Sequence, residues 1–441
     1  MPTTMLRRVL SGALIALSPI IAIAQQQPPE PRDTRTAAHM PTAEEIKNPP
    51  ASWIDKDTGH RIVRLTNEPG SASFYFNVNA YTPDGNEMIY TTREGISVLD
   101  LRTFKVRQVV QGHVRAIIVG HKTPSVFYLK PEENALYSTN VDTGVTRMLG
   151  KVPPHGNIAT VNADETLAAG TYDEVDAPDK QYGNPPVAGK TEQAHPLEQP
   201  ANKGEMMVRR LAARIPLVLY TLNLNNGKVT PLLHSTDWVN HLLFSPSDPQ
   251  LLMYCHEGPW QAVDRLWTIH TDGTHNQLMH QRHMGMEIAG HEFWGWDGET
   301  IYYDLQTPKG QDFFLASINL QTDERVWYHL ERNEWSIHFN VSKDGSLFTG
   351  DGGDPGQVAK APDGEWIELF HPERINNTGI ANKDLVQPGV LHAERVVNMS
   401  KHNYTLEPNV SFTPDQKMVI FRSNMFGPTY VFGVEVARAK P

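Results

Sequence analysis

The sequence predicts an all-β fold, a seven-bladed β-propeller with a long insertion in the third blade, and three observations carry that prediction. A turn of the type Thr/Ser-Pro-Asp-Gly followed by a short apolar strand recurs through the chain. Several copies lie roughly 40 to 50 residues apart, the length of a blade of four short strands. The strand-like residues 60–66 precede the first full copy while only three strands follow Val410, so the N-terminal strand is expected to complete the last blade. One blade cannot cover both its faces, and stacking blades in a ring buries them without leaving a long open edge. Arrays of two-sheet sandwiches lack this spacing.

The first copy is the clearest: Thr82-Pro83-Asp84-Gly85 leads to Met88-Ile89-Tyr90 and then to Ile96-Ser97-Val98-Leu99-Asp100-Leu101. The second starts at Thr123-Pro124 and continues through residues 126–129 and 136–144. The third starts at Asn162-Ala163-Asp164-Glu165 and resumes over residues 217–227, after an insertion of residues 173–216. The fourth runs from Ser245-Pro246-Ser247-Asp248 to Asp272-Gly273, and the fifth from Trp296-Asp297-Gly298 through residues 313–320. Ser342-Lys343-Asp344-Gly345 opens the sixth, and Thr413-Pro414-Asp415 opens the seventh, which ends in residues 430–436. The insertion is rich in Pro, Gly, Gln and Lys and turns helix-like over residues 205–214. Insertions of this length sit on a face and often cover a pocket. Residues 350–398 are expected to be irregular.

A chain of 441 residues is long for one compact domain, but a closed repeat reaches that size as a unit. Hydrophobic residues make up 39% and charged residues 20%, enough for a large core. The net charge of −11 argues against nucleic acid as a partner. An anionic sugar is still compatible, because a few arginines dominate the field inside a cleft. Arg7 and Arg8 precede an apolar run over residues 9–23, and Ala22-Ile23-Ala24 offers small residues for signal cleavage. Residues 1–24 are therefore expected to be a signal peptide, residues 25–50 a disordered leader, and residues 51–441 the propeller domain. That places the protein in the periplasm or outside the cell. The alternative is a single membrane anchor, which the short apolar run broken by Pro19 disfavours, and no later stretch spans a bilayer. The single cysteine, Cys255, forms no internal disulfide and reads as a buried, inert thiol.

Of 19 histidines, three stand out. His241, His291 and His338 lie four to seven residues before a blade-opening turn. Residues there belong to the innermost strand, so equivalent positions in successive blades converge on the axis. His256 and His402 lie nearby in sequence as further candidates. The spacing matches no His-Glu-x-x-His zinc pattern, although imidazoles from separate blades can bind a divalent transition ion. No Gly-x-Ser-x-Gly elbow and no Walker or Rossmann fingerprint is present.

His256 and His291 fall in two of a set of blocks with a family likeness: Tyr254-Cys-His-Glu-Gly-Pro-Trp260, Val263-Asp264-Arg265-Leu266-Trp267, Gly290-His-Glu-Phe-Trp294, Gly350-Asp-Gly-Gly-Asp354 and Ser411-Phe-Thr-Pro-Asp415. From about residue 50 onward the chain resembles the oligogalacturonate lyases of polysaccharide lyase family 22. The resemblance implies a seven-bladed propeller that cleaves 4-linked oligogalacturonates and leaves a 4,5-unsaturated uronate. It implies His291 as the base, Arg265 as its assistant, His338 as a metal ligand, and manganese as the ion. The family's other ligands, a Gln and two His, fall on Tyr404, Glu407 and Asn409 here. That departure shifts the expected ion toward one preferring oxygen ligands, such as calcium or magnesium. His402 supplies a nitrogen only if its loop shifts.

The chemistry explains these residue types. The proton at C5, α to an anionic carboxylate, is very weakly acidic, and a cation on that carboxylate stabilises the enolate-like transition state. The guanidinium fork suits this role, and a neutral imidazole is a competent base near neutral pH. The alternative for Arg265 is a surface ion pair with Asp264. His241, His256 and a basic lid of Arg209, Arg210 and Arg214 are expected to bind further parts of the substrate, although those arginines equally suit a solvated helix face. The competing function is a non-catalytic periplasmic propeller of the TolB kind, which has no need to align histidines on one axis.

Overall fold

The computed structural model describes residue 35 and residues 39–175, 203–353, 362–376 and 385–439. The expected signal peptide, most of the leader and the middle of the insertion lie outside the described residues.

The described chain is almost entirely antiparallel sheet. Strands Glu87–Thr92, Gly95–Asp100 and Val106–Gln111 form the first sheet, with bridges at Ala72 and Tyr81 adding an inner edge. Four-stranded sheets follow. One contains Arg115–Val119, Ser125–Lys130, Ala135–Asn140 and Thr146–Lys151. The next contains Gly156–Val161, Leu167–Asp173, Leu217–Asn223 and Val229–Ser235, and the third Trp238–Phe244, Leu251–Glu257, Leu266–His270 and Gln277–Leu278. An eight-stranded sheet then joins two antiparallel runs of four, Ile288–Trp294 through Arg325–His329 and Phe339–Val341 through Gln387–Asn398, by parallel pairing of Arg325–His329 with Gln387–Asn398. The final sheet pairs Ser411–Phe412, Met418–Ser423 and Tyr430–Arg438 with the N-terminal strands His60–Arg64 and Ser52–Ile54.

Apolar clusters show how the runs meet. Strand side chains alternate between faces, so Met88 and Tyr90 pack toward Ile420 and Val431 of the final sheet, while Ile89 packs toward Val119 and Val126 of the next one. Each later pair of runs shares a cluster of the same kind. The cluster between the final and first sheets closes the ring, as expected from residues 60–66: Ile62 is fully buried on one side and Leu65 packs on the other. The blade-opening turns form as their residues dictate. Gly298 has φ 70°, and a Cβ there would lie 2.0 Å from Ser247 Oγ, so only glycine is accommodated.

Two expectations change. The leader is not disordered up to residue 50: Ala43–Lys47 is a short helix with a Thr42/Glu45 capping box. Glu45 also reaches Lys401 at 2.6 Å, and that contact, with the Thr42 backbone bond, lowers its carboxyl to about 2. Residues 350–398 are not simply irregular, because Trp366–Arg374 and Gln387–Asn398 are the longest strand pair of their run. Four consecutive buried residues, Ile367 to Phe370, followed by exposed His371, Glu373 and Arg374 hide the alternation. The insertion leaves and re-enters between two paired strands, since Asp173 lies opposite Leu217, and its described end is the helix Lys203–Ala213. Among the described residues no helix is long and apolar enough to cross a membrane.

Candidate active site

Two of the three singled-out histidines owe their direction to β-bulges. The register of Trp238–Phe244 slips between Asn240 and Leu243, and that of Ile288–Trp294 between Gly290 and Phe293. At the slips His241 and His291 have φ 48° and 47°. Bulges re-aim side chains, and a left-handed non-glycine residue is uncommon enough to mark a functional position. His291 thereby comes within 4.9 Å of the His338 ring, between centroids.

Residues 74–79, ahead of the first full blade, form the floor. Asn77 donates to the Glu292 carbonyl at 2.9 Å, the Phe76 N–H donates to Asn409 Oδ1, and Asn340 donates to the Phe76 carbonyl. Phe76 stacks under His338 at 4.6 Å, and Tyr75 lies 5.1 Å from the His338 ring and 6.3 Å from His241. Three blades and this segment therefore share one cleft.

His291 Nδ1 is 3.3 Å from Asp304 Oδ1, an ion-pair distance without hydrogen-bond alignment. Burial opposes the charged imidazole, but Asp304 outweighs it and raises the His291 pKa above its ordinary value. Nε2 has no hydrogen-bond partner among the described residues, so the nitrogen opposite Asp304 is the one available for proton transfer.

Arg265 is not in a surface ion pair with Asp264, which binds Arg282 instead at 2.9 Å. It is buried between two carboxylates: Nη1 donates to Glu257 at 3.0 Å and Nε to Glu292 at 3.2 Å. Burial opposes charge on both glutamates, yet Arg265 holds both carboxyls below the usual range. The Glu257 oxygen not bound to Arg265 meets His241 Nε2 at 2.9 Å. The Trp260 ring lies 5.5 Å from Arg265 and 5.2 Å from His291, so one indole spans the base and the cation.

His338 is fully buried, with Nδ1 2.8 Å from Asp351 and Nε2 3.1 Å from the Tyr75 hydroxyl. The ligand set implied by the resemblance does not assemble around it. Glu407 Oε2 stands 3.9 Å from Nε2. Asn409 spends its side-chain oxygen on Phe76 and its nitrogen on the Glu407 carbonyl. His402 contacts Ser423 and the Leu406 carbonyl through its two nitrogens, and burial lowers its pKa to about 4. Tyr404 donates to the Asp351 carbonyl. One imidazole nitrogen already holding a hydroxyl, with one carboxylate beyond bonding range, is not a metal cage. Among the described residues, His241, Cys255 and Glu257 offer donor atoms within 4.8 Å of one another. Cys255 is the buried thiol expected, and burial pushes its pKa up, which leaves it a weak ligand.

The basic lid is not assembled either. Arg209 pairs with Glu205 on its own helix, Arg214 pairs with Asp237, and Arg210 approaches Asp173 at 3.6 Å and lies over Trp238. Acids close in space take up these cations, a pairing that residue spacing shows only for Arg209. His256 lies against Trp267 at 4.9 Å, away from the histidine cluster.

Several site residues went unnoticed in the sequence. Glu257 and Glu292 directly follow His256 and His291 in the quoted blocks, and that adjacency was the available signal. Asp304 and Asp351 come from second strands and their ends, and Tyr75 precedes every repeat. Arg422, in Met418–Ser423, is mostly buried and donates through Nε to the Glu407 carbonyl at 2.9 Å. Its other two nitrogens have no hydrogen-bond partner among the described residues. Burial lowers its pKa, while Glu407, Asp351 and Tyr75 pull the other way, which places its charge beside theirs.

Known proteins share this chain's length and fold. The sequence profile described as "Oligogalacturonate lyase" matches residues 43–439. An oligogalacturonate lyase of Dickeya dadantii (strain 3937) is 26% identical over 398 residues, covering 87% of this chain and 95% of the relative. An oligogalacturonide lyase of Pectobacterium atrosepticum is also 26% identical, over 406 residues, with the same coverage. A solved oligogalacturonate lyase in complex with manganese superposes with a TM-score of 0.67 at 22% identity, covering 88% of this chain and 96% of that one. With the profile running nearly end to end and both relatives aligned over almost their whole length, the chain belongs to the oligogalacturonate lyase family.

Proposed function

We propose that this chain cleaves oligogalacturonates by β-elimination, with His291 as base and Arg265 and Arg422 as the cations facing the uronate carboxylate. The observation that carries the reading is the convergence of His291, Arg265 and Trp260 in one cleft. Asp304 directs Nδ1 of His291, and Nε2 removes the C5 proton. Glu257 and Glu292 hold Arg265 rigid, so its orientation needs no adjustment as negative charge develops on the carboxylate. Those two glutamates also offset its charge, so the carboxylate needs a second cation. Arg422, with two uncommitted nitrogens, offers the bidentate geometry.

A divalent cation belongs to this reading, manganese by analogy with the solved lyase. His241 and Glu257 are the donors that suit it, and Cys255 adds little. Such an ion, when bound, supplies positive charge near the substrate carboxylate. Export is part of the same proposal: residues 1–24 direct the chain out of the cytoplasm, and the mass of the mature protein should correspond to an N-terminus at Gln25.

The test is digestion of oligogalacturonate, followed by the ultraviolet absorbance of the unsaturated uronate. Product from the wild type and none from His291→Ala, with an unchanged melting curve, is the expected result. Full activity in His291→Ala removes it as the base. A TolB-like scaffold predicts no product from any uronate oligosaccharide.

A further inference from the structure

We infer that Tyr75 is a catalytic residue of this elimination, the acid that protonates the leaving oxygen. The inference rests on the lyase reading. Elimination needs two proton events, removal at C5 and protonation of O4, because an unprotonated sugar alkoxide is a poor leaving group. His291 serves the first. For the second, the cleft offers few donors. His338 is fully buried and cannot touch a substrate. His241 is held by Glu257. Guanidinium groups stay charged and make poor proton donors.

Tyr75 is partly exposed, and its ring packs edge-on against Phe76 at 4.8 Å, which fixes its direction. Its hydroxyl lies 3.1 Å from His338 Nε2, and His338 Nδ1 lies 2.8 Å from Asp351. Asp351 also accepts the His338 and Asn409 backbone N–H groups, so its carboxylate is anchored. Tyr75, His338 and Asp351 thus form a hydroxyl–imidazole–carboxylate chain, in which the carboxylate orients the imidazole and the imidazole fixes the position of the hydroxyl. It occupies the position where the family resemblance implies a metal ligand, and gives the buried His338 a role that needs no ion.

The step balances within the substrate. His291 takes the C5 proton, the C5–H electron pair becomes the C4–C5 double bond, and the C4–O4 pair leaves on oxygen, which takes the Tyr75 proton. The partly exposed Tyr75 phenolate regains its proton from solvent, and His291 releases its proton to solvent. No oxidant or other reactant is required.

The test is Tyr75→Phe on two substrates. One is oligogalacturonate, and the other a galacturonide carrying an aryloxy group at C4, which departs without protonation. On oligogalacturonate kcat should fall about 10²–10⁴-fold, with KM changed only a few-fold. On the aryloxy substrate Tyr75→Phe should match the wild type within a few-fold, a rescue that a merely structural tyrosine would not show. An equal loss on both substrates, or no loss on either, overturns the inference while the lyase reading stands. Absence of unsaturated product from the wild type on both substrates overturns the two together.

Discussion

His291 combines a left-handed backbone, a buried carboxylate 3.3 Å from Nδ1 and an Nε2 with no hydrogen-bond partner among the described residues. Asp304 raises its pKa above the ordinary 6.5, against the effect of burial. The base works only when neutral, so kcat/KM should fall on the acid side with a midpoint above pH 6.5. Asp304→Asn removes the charge that raises the pKa, so the acid limb should move to lower pH. A pH–rate profile of both proteins checks the sign. Arg422→Ala should raise KM for oligogalacturonate by about 10- to 150-fold, the equivalent of losing one charge-assisted hydrogen bond of about 1.5–3 kcal/mol. A KM within two-fold of wild type excludes Arg422 from the substrate site. The partners Asp304, Tyr75 and Arg422 were not legible in the sequence, because each reaches the cleft from a different strand or segment, and Asp351 lay in the block 350–354 with no role that the sequence assigned. His291 and Arg265 lay in recognisable blocks, and His338 stood out by its place before a blade-opening turn.

Strands carry their own tensions. Glu368, in Trp366–Arg374, is 1% exposed, and neither carboxylate oxygen has a hydrogen-bond partner among the described residues. Burial and then Glu334 push its pKa well above 4.5. The folded state therefore binds a proton that the unfolded chain gives up above pH 4.5, so this residue makes stability fall as pH rises from there toward the folded pKa. Glu368→Gln should raise stability at pH 8 by about 1–3 kcal/mol and bring no gain below pH 4, which denaturant titrations at the two pH values measure. Short apolar strands that follow a recognisable turn, such as Glu87–Thr92, were legible element by element. Trp366–Arg374 and Gln387–Asn398 were not, because polar and charged residues interrupt their apolar pattern. The bulges at His241 and His291 leave no mark in composition, since an inserted residue changes register only once the partner strand is in place.

At the scale of the molecule, the ring depends on its N-terminal strands. His60–Arg64 pairs with Tyr430–Arg438, and Ile62 is buried among residues of the final sheet and its predecessor. Ile62→Ala should cost about 2–5 kcal/mol of stability by urea unfolding. Deleting residues 1–66 exposes the edge of Tyr430–Arg438 and should yield aggregation rather than a folded monomer by size-exclusion chromatography. This closure was visible in the sequence, because a turn repeated at a blade's length and one strand missing at the end are properties of order along the chain. The propeller class, the inner-strand positions of His241, His291 and His338, and the family blocks were determined in the same way. Tertiary structure alone decided what each histidine faces. It tied Arg265 to Glu257 and Glu292, turned His402 away, gave the Nε2 of His338 to Tyr75, and paired the lid arginines with nearby acids. Local sequence sets strands and turns through short-range sterics and alternation, whereas Tyr75 meets His338 across 263 positions, Arg265 meets Glu292 across 27 and Arg214 meets Asp237 across 23, contacts that exist only once the strands are in place.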